Sequence, residues 1–210
     1  MVASRVVFRR FHAPAAAGAF LIAVLAWAGA VGSASAAEKM KVPPELSAMV
    51  VSAVDNTIVP AYQFFADVSA KATDAVAQWC DTPSPATLQA ARTAFTGSIH
   101  AWARIEHIRF GPARTDNRWQ RIAFLPDPRG VVRRQVAKTL AEHPQNLLSA
   151  QAIGDQSAAL QGLPAVEILL FALPQDDVPE ALAYRCRLAH AISAHVAMLA
   201  RNMVDDWTAP

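Results

Sequence analysis

The sequence predicts an all-α protein: an up-and-down bundle of about four long helices with a long crossover. Three observations lead to this class. Apolar residues recur at helical spacing over several long stretches, and prolines and glycines stand at the ends of those stretches. No stretch alternates apolar and polar residues as a half-buried strand does. The expected architecture is therefore a helix bundle around one core.

The first core helix is predicted to run from Leu46 to Trp79, where apolar residues follow steps of three and four. Pro60 interrupts this stretch. Because proline has no amide hydrogen to donate, we expect a kink or a restart between Thr57 and Ala61.

The second helix is predicted from about Pro85 to Phe110, where Gly111-Pro112 would end it. Residues 113–130 mix proline, arginine and aspartate without a clear period, so they are expected to form the crossover. A short helix is predicted over residues 131–142, because His143-Pro144 follows and disfavours its continuation.

The third core helix is expected from Ser157 to Leu173, with Gly162 and Pro164 bending it or marking its true start. The fourth is expected over residues 179–207. Its apolar and small residues follow alternating steps of four and three, which is typical of a helix packed in a bundle. They are Leu182, Cys186, Ala189, Ser193, Val196, Ala200, Met203 and Trp207.

The first 36 residues have the form of a secretory signal peptide, because Arg5, Arg9 and Arg10 precede an apolar run that closes on Ala34-Ser35-Ala36. Cleavage there would release residues 37–210 as one helical domain in the periplasm, with no stable membrane anchor. A retained anchor is the alternative. Residues 37–210 contain 16 Lys and Arg against 17 Asp and Glu, a net charge of −1. This balance argues against a nucleic-acid partner.

The chain has two cysteines, Cys80 and Cys186. In an oxidising compartment the first expectation is an intramolecular disulfide between them. The alternative is a pair of buried free thiols.

Glu167 is a lone carboxylate in the otherwise apolar stretch of residues 162–171. Burial of an ionised carboxylate is costly, so a buried Glu167 would need an arginine, hydrogen-bond donors or a metal ion. The alternative is a helix that turns Glu167 outward, because a short apolar run does not determine its own orientation.

A second polar cluster lies near residue 106. On a helix, Trp102, Glu106 and Arg109 would share one face and His107 would lie on another. The alternative is an exposed Glu106–Arg109 pair of little energetic value. The chain contains neither the Glu-x-x-His pair of ferritin-like di-iron sites nor the His-Glu-x-x-His of zinc peptidases.

Basic residues are concentrated between Arg104 and Lys138, where nine Lys and Arg accompany three acidic residues, a local balance of +6. Such a run suits an anionic ligand or partner, although it is also typical of a solvated face.

Two runs in this order resemble the imelysin-like family, which is also classed as the M75 peptidases. They are Trp102...Glu106-x-x-Arg109-Phe110-Gly111-Pro112 and Gly162-Leu163-Pro164-Ala165-Val166-Glu167. The resemblance implies an all-helical envelope protein, with the family fold built from two related bundles and many members linked to iron uptake. The family's hallmark is Gly-x-His-x-x-Glu. Pro164 stands where that histidine would be.

The resemblance implies a non-catalytic binding component of iron acquisition, with an iron-uptake or other envelope protein as its partner. Glu167, Glu106 and His107 would bind the metal from the bundle interior or a cleft, because hard oxygen ligands and imidazole suit iron. Arg109 would be the counter-charge, with Trp102, Gly162 and Pro164 in supporting positions.

Two other functions remain open. One is an M75-type metallopeptidase, although Pro164 removes the histidine of its hallmark. The other is a docking module for another envelope protein, in which Glu167 and Arg109 form a buried pair that sets the helix register.

Overall fold

The computed structural model describes residues 43–172 and 178–209. All regular structure within these ranges is helical, which confirms the predicted all-α class. The predicted signal peptide, residues 1–36, lies outside them. The α-helices are, in chain order, α1 (Pro44–Ala53), α2 (Val59–Asp81), α3 (Pro85–Ala103), α4 (Arg118–Ile122), α5 (Val131–Glu142), α6 (Ala150–Gly154), α7 (Ala158–Gln161), α8 (Leu163–Glu167) and α9 (Pro179–Thr208).

The irregularity expected near Pro60 takes the form of a π turn, and the helix does not restart there. A π turn, Val54–Ile58, separates α1 from α2, and Pro60 lies in the first turn of α2. The backbone stays helical through the π turn, because Ile58 and Val59 keep right-handed helical angles and the amide of Val59 donates to the carbonyl of Val54. Helix α1, on the far side of the π turn, contains no buried residue.

Helices α2, α3 and α9 form the body of the bundle. The start of α9 is joined to the end of α2 by the disulfide Cys80–Cys186, whose Cα atoms are 5.3 Å apart. At the other end of α9, the ring centroid of Trp207 lies 6.1 Å from that of Tyr62, near the start of α2. The two helices therefore run antiparallel, and the disulfide is the pairing that the sequence predicts.

Helix α3 ends at Ala103, earlier than the predicted Phe110. Beyond Ala103 the chain tightens into turns, with the amide of Ile105 donating to the carbonyl of Trp102 and that of Ile108 to Ile105, both at 2.9 Å. These turns place Ile105 and Ile108 in the core, at 0% and 6% exposure. Turns thus take the place of the expected last part of the helix, and they are favoured because they bury the two isoleucines.

The crossover contains α4 and α5, and α5 has the bounds predicted from the sequence. The Asp127 carboxylate accepts hydrogen bonds from the amides of Val131 and Val132, at 2.8 and 2.9 Å. These bonds supply partners for the free amides at the start of α5. They also lower the pKa of Asp127, since they favour the charged carboxylate.

The core helix predicted over residues 157–173 is broken. Gly162 has an extended backbone (φ −119°, ψ −173°) and separates α7 from α8, and a π turn, Ile168–Ala172, follows α8. An added Cβ at Gly162 would lie 2.3 Å from the carbonyl oxygen of Ile122. Only glycine lets the chain pass so close to α4.

Two arginines complete the hydrogen bonding at the end of this segment. The carbonyl of Leu169 accepts from Nε of Arg185 and that of Leu170 accepts from Nε of Arg92, both at 2.7 Å. These carbonyls belong to the π turn Ile168–Ala172. The broken segment is therefore attached to α3 and α9.

None of the helices in the described ranges combines the length and apolar character that a membrane span requires.

Candidate functional site

Glu167 lies on the solvent side of α8. The inward side of this segment is filled by Leu163, Val166 and Leu170, all buried and separated by steps of three and four. Glu167 and Phe171 lie one turn apart on the outer side, and Phe171 is 46% exposed. The expectation that Glu167 faces the bundle interior is therefore wrong, because the apolar neighbours occupy the inward positions.

Glu106 and His107 lie in the turns that follow α3, and both side chains are exposed. Glu106 contributes its backbone carbonyl, which accepts hydrogen bonds from Nε1 of Trp119 at 2.7 Å and Nε of Arg109 at 3.4 Å. Its carboxylate forms no ion pair with any residue of the described ranges. The expectation that Glu106 faces the interior is also wrong, because α3 ends before the helical phase can carry it there.

The predicted metal ligands do not form a ligand set. Among the described residues, no three or more His, Cys, Asp and Glu side chains group so that they could hold a metal ion. Pro164, in the first turn of α8, has no donor atom to offer. The side chains of residues 43–172 and 178–209 thus do not fit a resident metal ion. The buried Glu167–Arg109 pair of the docking hypothesis is absent as well, since both residues are exposed.

Of the predicted cluster at residues 102–109, Arg109 lines a pocket of about 330 Å³, which we call the Arg109 pocket. Its lining is Arg109, Ala113, Arg114, Asn117, Trp119 and Gln120.

A column of rings supports this pocket from the core. The Phe65 and Trp102 centroids are 5.3 Å apart, and those of Trp102 and Trp119 are 6.3 Å apart. The Arg109 guanidinium lies over the outer end of the column, 4.0 Å from the Trp119 ring centroid. Trp119 is held further by its bond to the Glu106 carbonyl. The stacked guanidinium is consequently held in place by a cation–π contact with an anchored ring.

No described residue neutralises the positive charge of the Arg109 pocket. Arg118 next to it is 9% exposed and pairs with Asp206, with Nη1 and Oδ2 at 2.5 Å. Arg109 and Arg114 are exposed, and neither has a carboxylate within ion-pair distance in the described part of the chain. Two guanidinium groups therefore face the pocket available to an anion.

Sequence reasoning missed a buried polar network between α4, α7 and α9. Arg121 donates through Nε to Oε1 of Gln161 at 2.6 Å and lies with Nη2 3.4 Å from Nε2 of His195. Nδ1 of His195 is 3.0 Å from the Ala150 carbonyl, which can only accept, so Nδ1 carries the proton. His195 has 0% exposure. In the sequence, His195 follows the helical spacing of Leu188, Ile192 and Leu199, and this spacing indicates that it is buried.

The network predicts that stability depends on pH. Burial, with a contribution from the Arg121 charge, lowers the pKa of His195 from 6.5 to about 4. Between these values the unfolded chain takes up a proton that the folded chain rejects, so stability is lost as the pH falls. We expect the free energy of unfolding to drop by about 2 kcal/mol between pH 7 and pH 5, measured by urea denaturation.

The matched variants are His195→Gln, which should remove most of this pH dependence, and His190→Gln on the same helix, which should keep it. An equal loss in wild type and His195→Gln would contradict the assignment.

Comparison with known proteins identifies the family and a similar fold. The model of the imelysin family, Peptidase M75, matches residues 58–210. The chain belongs to the imelysin family. A crystal structure of an imelysin-like protein from Psychrobacter arcticum 273-4 superposes with a TM-score of 0.69 at 26% identity, over 76% of this chain and 49% of that one. The chain thus spans about half the length of this relative. No curated protein matches it.

Within the imelysin family match, both runs that carried the resemblance now have a structural account. Gly162 is needed for the close approach of α8 to α4, and Gly111, with φ +56°, adopts a backbone conformation that favours glycine and packs against the ring of Trp207. Trp102 lies within the column of rings, between Phe65 and Trp119, and Arg109 stacks on Trp119 at its outer end. Trp119 lies in the crossover, where the sequence offered no periodicity to place it.

Proposed function

We propose that this imelysin-family chain is a non-catalytic binding module of the bacterial envelope that takes up a carboxylate-rich anion at the Arg109 pocket. In the setting of iron acquisition, that anion is a ferric ion already complexed by an organic acid. An iron-uptake protein of the envelope would be the partner that delivers or receives it.

The observation that carries the proposal is the pair of exposed guanidinium groups, Arg109 and Arg114, without carboxylate partners in the described chain. Arginine presents its donors in a planar fork that matches a carboxylate. A citrate complex offers several carboxylates, so both arginines can be engaged at once. The Trp119 ring, on which Arg109 stacks, also lines the pocket beside these charges.

The lack of a ligand set favours a chelate over a bare metal ion. A ferric ion held by the protein would need several hard oxygen or nitrogen donors around it. Glu167, Glu106 and His107 do not converge, and no other described group of such residues does. An ion that arrives with its own organic ligands requires only that the protein recognise their negative charge.

The envelope location rests on two features. The first is the signal peptide predicted over residues 1–36. The second is the disulfide Cys80–Cys186, since such bonds are common in oxidising compartments and rare in reducing ones.

The metallopeptidase alternative has less support. It needs a metal ion with an open coordination position and a base for the attacking water. The described residues supply no grouped ligands, and Pro164 replaces the hallmark histidine.

The proposal predicts that ferric citrate and citrate bind the purified protein and that Arg109→Gln and Arg114→Gln each weaken binding about fivefold or more. Each substitution removes a charge-assisted hydrogen bond to the ligand. The expected loss of affinity is set at about fivefold because the two arginines are exposed and their charges are screened by solvent. Isothermal titration calorimetry measures the affinities. Binding should also weaken as sodium chloride is raised, because salt screens exposed charges.

Arg133→Gln is the matched control, since Arg133 is an exposed arginine of α5 outside the pocket. It should bind ferric citrate as the wild type does, and so should Glu167→Gln. Loss of affinity in Glu167→Gln with no effect in the two pocket variants would overturn the proposal and restore a carboxylate site.

A further inference from the structure

A second pocket, of about 470 Å³, lies at the end of the bundle opposite to the Arg109 pocket. Its lining includes Trp79, Pro83, Leu88, Gln89, Arg92 and Leu182, and we call it the Trp79 pocket. We propose that the Trp79 pocket binds a small organic acid with one carboxylate and an apolar body. Its volume lies in the range of small-molecule sites, about 300–1,000 Å³.

The inner surface of the Trp79 pocket is apolar. Trp79 and Leu88 are core residues, at 2% and 6% exposure, and Leu182 is half-buried at the start of α9. The Trp79 ring is held from one side by Arg185, whose guanidinium carbon is 5.7 Å from the ring centroid. An apolar ligand body would exchange contact with water for contact with these side chains, which favours binding.

The walls of the Trp79 pocket are held in place by covalent and hydrogen bonds. Cys80, next to Trp79, is joined to Cys186, so the end of α2 is tied to the start of α9. The third wall, the turn before α3, is held by a capping box in which Oγ of Ser84 accepts from the Thr87 amide at 3.1 Å. Oγ1 of Thr87 also donates to the carbonyl of Thr82 at 2.7 Å. A site with such fixed walls spends little free energy on ordering when a ligand binds.

Arg92 supplies the charge for a carboxylate. Its Nε donates to the Leu170 carbonyl at 2.7 Å, and its guanidinium carbon lies 5.2 Å from the Phe171 ring centroid. These contacts orient the half-buried guanidinium without neutralising it, because both partners are uncharged. Within the described residues Arg92 has no carboxylate at ion-pair distance, and no acidic residue lines the pocket. The Nη groups are thus suited to a ligand carboxylate.

The two pockets differ in the anion that they suit. The Arg109 pocket presents two arginines on an exposed surface, whereas the Trp79 pocket presents one arginine beside an apolar floor. A single charge suits a monocarboxylate, and the floor suits an alkyl or aromatic body. The site therefore goes beyond the proposed function and does not depend on it.

The test uses octanoate and indole-3-acetate as probes, with octanamide and indole-3-acetamide as neutral counterparts, titrated into the purified protein by calorimetry. Both acids should bind at least about tenfold more tightly than their amides, because only the acids form a charge-assisted pair with Arg92. Arg92→Gln should remove this preference. Arg114→Gln, in the other pocket, should leave it unchanged.

A second variant tests the cavity separately from the charge. Leu182→Trp puts a larger side chain into the pocket from a half-buried position on α9, so it should weaken both acids about tenfold while ferric citrate binds as before. Circular dichroism checks that each variant folds. If Arg92→Gln does not fold, acid binding by Leu182→Trp is the measurement that tests the proposal. Absence of acid binding at millimolar concentration, equal affinity for acids and amides, or acid binding untouched by Leu182→Trp would each overturn the proposal.

Discussion

Replacing both cysteines with serine is expected to lower the free energy of unfolding by about 3–4 kcal/mol. Cys80 and Cys186 are 106 residues apart, so the disulfide closes more than half of residues 37–210 into one loop in the unfolded chain. Restricting a loop of that length removes much of the conformational freedom of the unfolded state, on the order of 4–5 kcal/mol in the chain-entropy treatment. Since domains of this kind are stable by about 5–15 kcal/mol, the loss would be large.

Urea denaturation of the wild type and of the Cys80→Ser, Cys186→Ser double variant measures the effect. Wild type in excess dithiothreitol should match the double variant, and the double variant should be indifferent to the reductant. The same variant should bind octanoate less tightly, because the disulfide joins two walls of the Trp79 pocket. Coincident unfolding curves for oxidised and reduced wild type would show that the bond contributes nothing.

The helices that could be predicted from the sequence are those whose apolar stripe runs unbroken between clear stop signals. Helix α9 is 30 residues long and keeps its alternating steps from Leu182 to Trp207. Helix α5 is bounded by Gly130 before it and His143-Pro144 after it. The end of α3 was misplaced because Ile105 and Ile108 continue the helical spacing while lying in turns. Apolar spacing reports burial, and a turn that buries the same residues gives the same signal.

Part of the arrangement around residues 102–109 could be predicted from the sequence, whereas the orientation of Glu167 could not. Trp102 and Arg109 do lie in one column of rings, because both contact Trp119. Glu167 was misjudged because the apolar residues around it establish that the segment packs, without saying which side faces inward. Which side of α8 carries Glu167 depends on the break at Gly162 and on the close approach of α4. This approach joins segments that are 40 residues apart along the chain.

Gly162→Ala is expected to lower the free energy of unfolding by about 3 kcal/mol. Its backbone angles are accessible to alanine, so the cost is steric. The added Cβ would lie 2.3 Å from the Ile122 carbonyl oxygen and 2.5 Å from that of Arg121. Both are backbone atoms that cannot rotate away, which places the effect at the upper end of the overpacking range, about 1–3 kcal/mol.

Gly97→Ala is the matched control, because Gly97 lies inside α3 and its added Cβ would meet only a side-chain atom of Val68, at 3.2 Å. Alanine is the better helix former by about 0.5–1 kcal/mol, so this variant should stay within about 1 kcal/mol of the wild type. The Gly162 variant should also bind ferric citrate less tightly, because α4 carries Trp119. A Gly162→Ala protein with wild-type stability and wild-type binding would separate this glycine from the Arg109 pocket. Joint loss of stability and binding would show that Gly162 positions α4, the helix that carries Trp119.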